Sequence, residues 1–529
     1  MKKLIIILIS MVTIVASCNK ETFEEYYPDP SKISSSTLEK QFTGMMNSNV
    51  NWVVPDYWNY FVVLRITANR WTQSIGWINT GSQYVPGGAA VAGRWNSYYN
   101  FLSQYKVFED IYNSASEREQ RDKRIFMIAA TIYLHYHTQQ TVDLHGDIPW
   151  SEAGMMSQTG GDYVRSRPAY DNAEDIYTKM LDDLKAFATE LNTLEVMPGI
   201  LTGFRTHDIV NKGDLDKWKR YSNSLRLRML ARVSGVPAFQ ARVVTEVAEI
   251  LNNPATYPVL EDNSHNIQIN IFSQDTPIHS RGFRTGLEDW DGNLAGKVML
   301  DHLVTNNDPR LRVLFQPGRV DDEFIDEWVG VDPLALESTQ QALITTGTVS
   351  RYNWSTLSRN QFFPGVIINA AEVDFLKAEA LLAAGQDPQA KAYYEKGVAS
   401  SVDFYYGLRA ISNNNESPEY EPYTEAEIAA YLAQDDVSWD NATSAAEKLN
   451  LIATQKWIHF NVVQPNENWA EYRRLKLPQL SFWVDNSDPQ SQPPSRWQYS
   501  DSEQTYNEAN YNAVRGKDTY NTKIFWDVR

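Results

Sequence analysis

The run from Ala371 to Ser401, AEVDFLKAEALLAAGQDPQAKAYYEKGVASS, decides the fold class. Apolar and small residues recur at three- and four-residue steps from Ala371 to Ala384 and again from Gln389 to Ser401. Between them stands Gly385-Gln386-Asp387-Pro388, where glycine ends one helix and proline sits at the start of the next. This predicts two antiparallel helices joined by a tight turn, an αα-hairpin. Gly385, Ala390, Tyr394 and Gly397 have the turn-glycine, small, aromatic, small order of a tetratricopeptide unit, in which small residues let two helices approach closely. The hairpin is bounded at 369–403.

Outward from the hairpin, helical spacing continues. Ile176, Tyr177, Met180, Leu181, Leu184, Ala188 and Leu191 form one apolar face. The preceding Asp171-Asn172-Ala173-Glu174 is read as a capping box with Asp171 as the cap. A second long helix is predicted from Leu215 through Trp218, Tyr221, Leu225, Met229 and Val233, stopping at Gly235 and Pro237, with Arg226, Arg228 and Arg232 crowded on it. Between 252 and 365 the pattern changes to Asn, Pro, Gly and Trp-rich segments with short alternations such as Ile267-Gln268-Ile269-Asn270-Ile271, which read as loops with minor strands. The expected fold is mainly α, a tetratricopeptide-like helical hairpin scaffold with a loop-rich region and minor β strands.

The ends and the composition bound the function. Met1-Lys2-Lys3, the apolar run Leu4 to Ile9 and the small residues Ala16-Ser17 before Cys18 have the layout of a signal peptide over 1–17, too short to span a membrane. Val15-Ala16-Ser17-Cys18 resembles a lipobox, which makes Cys18 the lipidation residue. Residues 18–37, acidic at first and then rich in Pro, Asp and Ser, read as a lipidated N-terminus and tether, and 38–529 as the folded body. Cys18 is the single cysteine of 529 residues, so no internal disulfide or multi-cysteine zinc site is available. The formal charge of −18 repels phosphate backbones, which argues against nucleic-acid binding and against highly anionic ligands; an anionic partner needs a local basic pocket.

Chemistry-bearing motifs are mostly excluded by their spacing. His135, His137, Asp143, His145 and Asp147 cluster in sequence, but His135 and His137 point about 200° apart on a helix and cannot share an ion. Asp289-Trp290-Asp291-Gly292-Asn293 has its glycine at the wrong place for a calcium loop and Leu300 where a bidentate acid belongs. There is no Gly-x-Ser-x-Gly elbow and no phosphate-binding glycine loop, and no metal or cofactor is expected. Paired carboxylates for glycoside hydrolysis stay open, because their separation is invisible in sequence.

The remaining signal is aromatic. Trp71, Trp77 and Tyr84 lead to Gly87-Gly88, and Trp290, Trp328, Tyr352 and Trp354 occupy the loop-rich region, with Arg284 and Asp291 among polar neighbours. Flat rings offer apolar faces for the C–H side of a pyranose while polar groups orient its hydroxyls. These nine residues are the candidate ligand-binding set.

Ordered motifs then carry a resemblance. Asp143-Leu144-His145-Gly146-Asp147-Ile148-Pro149-Trp150-Ser151-Glu152-Ala153 resembles the Asp-x-x-Gly-Asp-Ile-Pro-aromatic-x-Glu-Ala signature of SusD/RagB-type nutrient-binding lipoproteins. Arg167 to Asp171, Lys217-Trp218 with Asn223 to Arg228, Asp308-Pro309-Arg310-Leu311, Gln455-Lys456-Trp457, Arg473-Arg474 and Phe525-Trp526-Asp527 follow in that family's order, although His145 stands where many relatives carry an aromatic, commonly Tyr. The resemblance implies a cell-surface, outer-membrane lipoprotein that binds an oligosaccharide without catalysis and delivers it to a SusC-like TonB-dependent transporter. It implies a structural loop at Asp143–Ala153, with Gly146 and Asp147 making turn contacts. A RagB-type peptide-binding lid and a surface glycoside hydrolase are the alternative expectations.

Overall fold

Helix formation begins where Thr37 accepts a hydrogen bond from the Lys40 N–H, capping the helix Leu38–Asn47 (α1). The computed structural model describes residues 36–529. The signal peptide, Cys18 and nearly all of the tether lie outside the described residues.

The scaffold is a series of long helices. After α1 come Gly88–Ser114 (α2), Arg124–His145 (α3), Ala173–Glu190 (α4), Leu215–Arg232 (α5) and Gln240–Asn252 (α6). The hairpin helices Ala370–Ala383 (α7) and Asp387–Ala410 (α8) follow, then Ala445–Phe460 (α9) and Pro465–Leu475 (α10). Each packs on its predecessors: α2 against α1 and α3, α4 and α7 against α5, α8 and α9 against α7, and α10 against α9. α3 is buried around nearly its whole circumference, as expected for a helix enclosed by others. Sheet is minor and antiparallel, pairing Ile267–Ile269 with Gly365–Ile368 and Phe315–Gln316 with Arg351–Tyr352.

The hairpin has the expected turn, and α8 runs nine residues past the predicted end at Ser401. Gly397 explains how close the two helices come. A Cβ there would lie 2.6 Å from Cε1 of the buried Phe375 ring of α7, so only glycine fits. The cap of α4 differs from the sequence expectation. Asn172, not Asp171, accepts the Glu174 N–H, while Asp171 turns back to hold the Trp150 and Ser151 N–H groups, each at 2.9 Å. The 252–365 region also contains short helices, among them Phe283–Glu288, Lys297–Thr305 and Glu337–Thr345. Two turns or so show too little periodicity to be read against the surrounding Gly and Pro.

Where helices meet, the core is ionic. Arg228 bonds Glu372 at 2.7 Å, and Arg232 bonds Asp143 at 2.7 Å and Glu467 at 2.6 Å. Arg474 bridges Glu379 and Glu471 from α10. The arginines crowded on α5 are therefore paired inward, each meeting a carboxylate that offsets the cost of burying its charge. Asp143 collects four donors, from Tyr177, Trp526, Arg232 and Gln139, and so ties α3 to α4, α5 and the C-terminal segment. Asp147 accepts from the Ala173 N–H and Lys517 at the turn after α3. The histidines of this stretch have separate partners: His135 meets Asp183, His137 meets Asn49, and His145 meets the Gln498 carbonyl. Burial holds all three below the usual histidine range.

Candidate functional site

The site is built from three chain segments on one side of the scaffold. A π-helical turn, Trp58–Leu64, carries Phe61 and leads to Arg65. A short helix, Ala68–Trp71, supplies Arg70, and the following extended segment supplies Trp77. The third segment, Asp289–Gly292, presents Trp290 and Asp291. A backbone bond pins the second to the chain just after the third, from the Gly76 N–H to the Leu294 carbonyl at 2.8 Å, and the strand residue Tyr352 holds that same stretch through its N–H to the Asn293 carbonyl at 2.8 Å. Gly292 lets the third segment close on the first, since a Cβ there would meet Arg65 Cδ at 2.7 Å.

A cleft of about 210 Å³ results, lined by Arg65, Arg70, Trp77, Trp290, Asp291 and Ile344 among others. Trp77 shows only an edge, with 7% exposure, and its Nε1–H is shared between Asn79 Oδ1 at 3.0 Å and Gln83 Oε1 at 3.1 Å, which sets the ring plane. Trp290 is the opposite case: 85% exposed, with a left-handed backbone at φ 55° and ψ 42°. That conformation costs a bulky residue roughly 1–2 kcal/mol. A strained turn that holds an indole out in water is costly twice over, the pattern that strained and exposed apolar residues show at functional sites.

Trp290 extends an aromatic surface. Its ring meets Phe61 edge-on at 5.9 Å, Phe61 stacks on Tyr57 at 4.9 Å, and Arg65 lies 4.0 Å over Phe61. Tyr57 and the neighbouring Trp58 are themselves exposed. Arg65 also donates to the Asp289 carbonyl at 2.7 Å, which fixes its guanidinium beside the Trp290 turn. Burial lowers the Arg65 pKa, and burial together with the positive charge of Arg65 brings Arg70 down to about 10.

Of the nine residues expected to bind ligand, the cleft brings together Trp77, Trp290 and Asp291. Trp71, Tyr84 and Tyr352 are core residues instead. Trp71 packs on Trp469 at 4.7 Å, Tyr84 donates to the Trp483 carbonyl at 2.7 Å, and Tyr352 packs on Phe315 and donates to the Ser74 carbonyl at 2.6 Å. The polar tips of Tyr84 and Tyr352 are satisfied internally, so burial costs them little, whereas the Trp71 Nε1–H is buried without a partner. Trp328 packs against the same core, and Trp354 is 9% exposed beneath Arg359, whose guanidinium lies 3.8 Å from the ring. Arg284 is exposed near Glu288 and does not line the cleft. Sequence reasoning missed Tyr57, Phe61, Arg65 and Arg70. The four-residue steps Tyr57, Phe61, Arg65 were a legible signal of one helical face carrying two rings and a cation.

The family described as starch-binding and associating with the outer membrane, the SusD-like family, matches residues 30–500, and the chain belongs to it. Solved structures agree in fold. A SusD homologue from Bacteroides fragilis NCTC 9343 superposes with a TM-score of 0.72 at 19% identity, over 93% of this chain and 100% of that one. A Bacteroidetes SusD-like protein, AC2a, gives 0.71 at 22% identity over 93% and 100%. A chitin-binding SusD homologue from Flavobacterium johnsoniae gives 0.70 at 22% identity over 93% and 99%. No curated protein matches. As a member of this family the protein is a carbohydrate-binding protein of the outer membrane and not an enzyme. Among the described residues, no helix is long and apolar enough to cross a membrane.

Proposed function

We infer that the protein is a lipoprotein of the outer cell surface, anchored through Cys18, that captures an oligosaccharide and delivers it to a SusC-like TonB-dependent transporter. The observation that carries the binding half is Trp290, an indole held in water by a strained turn at the mouth of a cleft whose far wall is Trp77. Trp290 takes a pyranose face at the rim, with Asp291 beside it meeting a hydroxyl, while the arginines meet the sugar's polar groups inside. Family membership supports saccharides over peptides as the ligand class. The lipobox and the charged, apolar, small layout before Cys18 support the anchor.

Two experiments test the halves separately. Screening the purified body on immobilised glycans, with Trp290→Ala beside it, tests capture: wild-type retention lost in the variant supports the cleft, and equal retention refutes it. Gentle detergent extraction from the native membrane, followed by pull-down, tests delivery. A large β-barrel protein should co-purify, and its repeated absence from Cys18-intact preparations would sink the transporter partnership.

A further inference from the structure

We propose that the saccharide taken by the Trp77–Trp290 cleft is acidic, and that an isolated carboxylate on one of its sugar units seats between Arg65 and Arg70. The proposal rests on the cleft being the saccharide site and adds the class of sugar.

The reason is where two half-buried arginines without a carboxylate stand. In the core, Arg226, Arg228, Arg232, Arg310 and Arg474 each bond a carboxylate at 2.8 Å or less, and Arg94, Arg409, Arg473 and Arg496, which do not, lie over the rings of Trp52, Tyr420, Trp469 and Tyr499; Arg65 and Arg70 line a cleft instead. Arg65 and Arg70 have no carboxylate oxygen within ion-pair distance among the described residues; their hydrogen bonds go to backbone carbonyls. For Arg70 that is one long bond, from Nη1 to the Gln83 carbonyl at 3.4 Å, and its Nε is buried with no partner at all. Asp291 at the rim is already held by Arg351 at 3.1 Å. Two like charges thus line one small cavity, both half-buried, with Arg70 Nε unpartnered. An unpaired guanidinium shielded from water is costly, and a planar carboxylate accepts two parallel N–H donors from it.

The surroundings narrow the class. At 210 Å³ the cleft is smaller than the ~300–1,000 Å³ of pockets that enclose a drug-sized ligand, so it admits one sugar unit and leaves the next to Trp290 outside. The charge of −18 opposes polyanions at long range, but it is screened beyond about 10 Å in 0.1 M salt, whereas the arginines act at contact. A chain with one uronic acid among neutral sugars fits both conditions, and a uniformly sulfated chain does not.

The test is a glycan array that carries uronic-acid oligosaccharides beside their carboxyl-reduced forms, sulfated glycans and chito-oligosaccharides, plus peptides with free and amidated C-termini. Hits are followed by calorimetry. Acidic members should bind at least about tenfold better than their reduced partners, weaken as salt rises, and lose that advantage in R65Q and R70Q. R70Q should melt no lower than the wild type, because it removes an uncompensated charge; an Arg70 with a merely structural role would show a lower melting temperature and unchanged selectivity. Should R70Q fail to fold, R65Q and the salt titration decide by the same criteria. Equal binding of acidic members and their carboxyl-reduced partners by the wild type, or an acidic preference that persists in both R65Q and R70Q, overturns the acidic class and leaves saccharide capture standing. Retention of free-carboxylate peptides alone, or of nothing, overturns both.

Discussion

Replacing Asp143 with Asn tests whether the Asp-x-x-Gly-Asp signature is a clamp of the fold or a local turn. Asp143 is buried with four donors around it and no donor of its own to offer. Tyr177 Oη at 2.5 Å and Trp526 Nε1 at 2.8 Å reach one oxygen; Arg232 Nη1 at 2.7 Å and Gln139 Nε2 at 3.5 Å reach the other. Only an ionised carboxylate accepts from all four. The amide nitrogen of Asn would point a donor at donors, and Arg232 would keep only Glu467 and Glu471. Breaking a buried pair by removing one partner costs about 3–5 kcal/mol. With an unfolding entropy of about 2.1 cal/mol/K per residue, roughly 500 residues give ~1 kcal/mol per degree, so the melting temperature should fall by about 3–5 °C. The control is Asp147→Asn, which keeps an acceptor for the Ala173 N–H, loses only the ion pair with a half-exposed lysine and should cost about 1 °C. Circular dichroism melts of both variants decide it. Asp143→Asn within about 1 °C of the wild type, or less destabilising than Asp147→Asn, would refute the clamp.

Three further outcomes follow from the packing and the site. Trp290→Gly should relieve the left-handed strain and melt at or slightly above the wild type while losing about 1–3 kcal/mol, roughly 5- to 150-fold, in affinity for the glycan found by array; lowered stability with intact affinity would contradict it. Gly397→Ala should cost about 1–3 kcal/mol in denaturant titration, because its Cβ collides with Phe375, and the double variant with Phe375→Leu should recover part of that. Burial and the charge of Arg310 push His459 down to about 3, so below the unfolded value near 6.5 the unfolded chain binds a proton that the folded chain refuses. Its contribution is whole above pH 6.5 and falls by about 1.4 kcal/mol per unit of acidification; stability measured at pH 6.5 and 4.5 should show a flatter decline in His459→Gln.

Legibility divided along the range of the forces involved. The α7–α8 hairpin, α5 with its Gly235–Pro237 stop and the strand at Ile267–Ile269 could be read because periodicity and turn chemistry act within a few residues. Helix caps were less secure. Asp171 and Asn172 are both good caps by type, and the choice fell to Asn172 because Asp171 was needed by the Trp150 and Ser151 N–H groups some twenty residues earlier.

For the binding surface, residue type and neighbourhood did not separate Trp71 from Trp290. Both are indoles beside polar residues. Trp71 meets Trp469 from α10, nearly four hundred residues away, whereas Trp290 sits on a turn that points its ring at water. The same holds for charge. Composition fixes only a net charge of −18, yet whether an arginine is paired depends on which carboxylate the fold brings to it: Glu372 for Arg228, Asp143 for Arg232 and, among the described residues, none within ion-pair distance for Arg65 and Arg70. Sequence alone thus determined the helical class, the family and the expectation of a lipid anchor, since these follow from local spacing and ordered motifs. Tertiary structure alone decided which aromatics are buried in the core and which stand at the cleft, and that Arg65 and Arg70 line it with no carboxylate within ion-pair distance among the described residues, because burial and pairing are properties of residues distant in the chain.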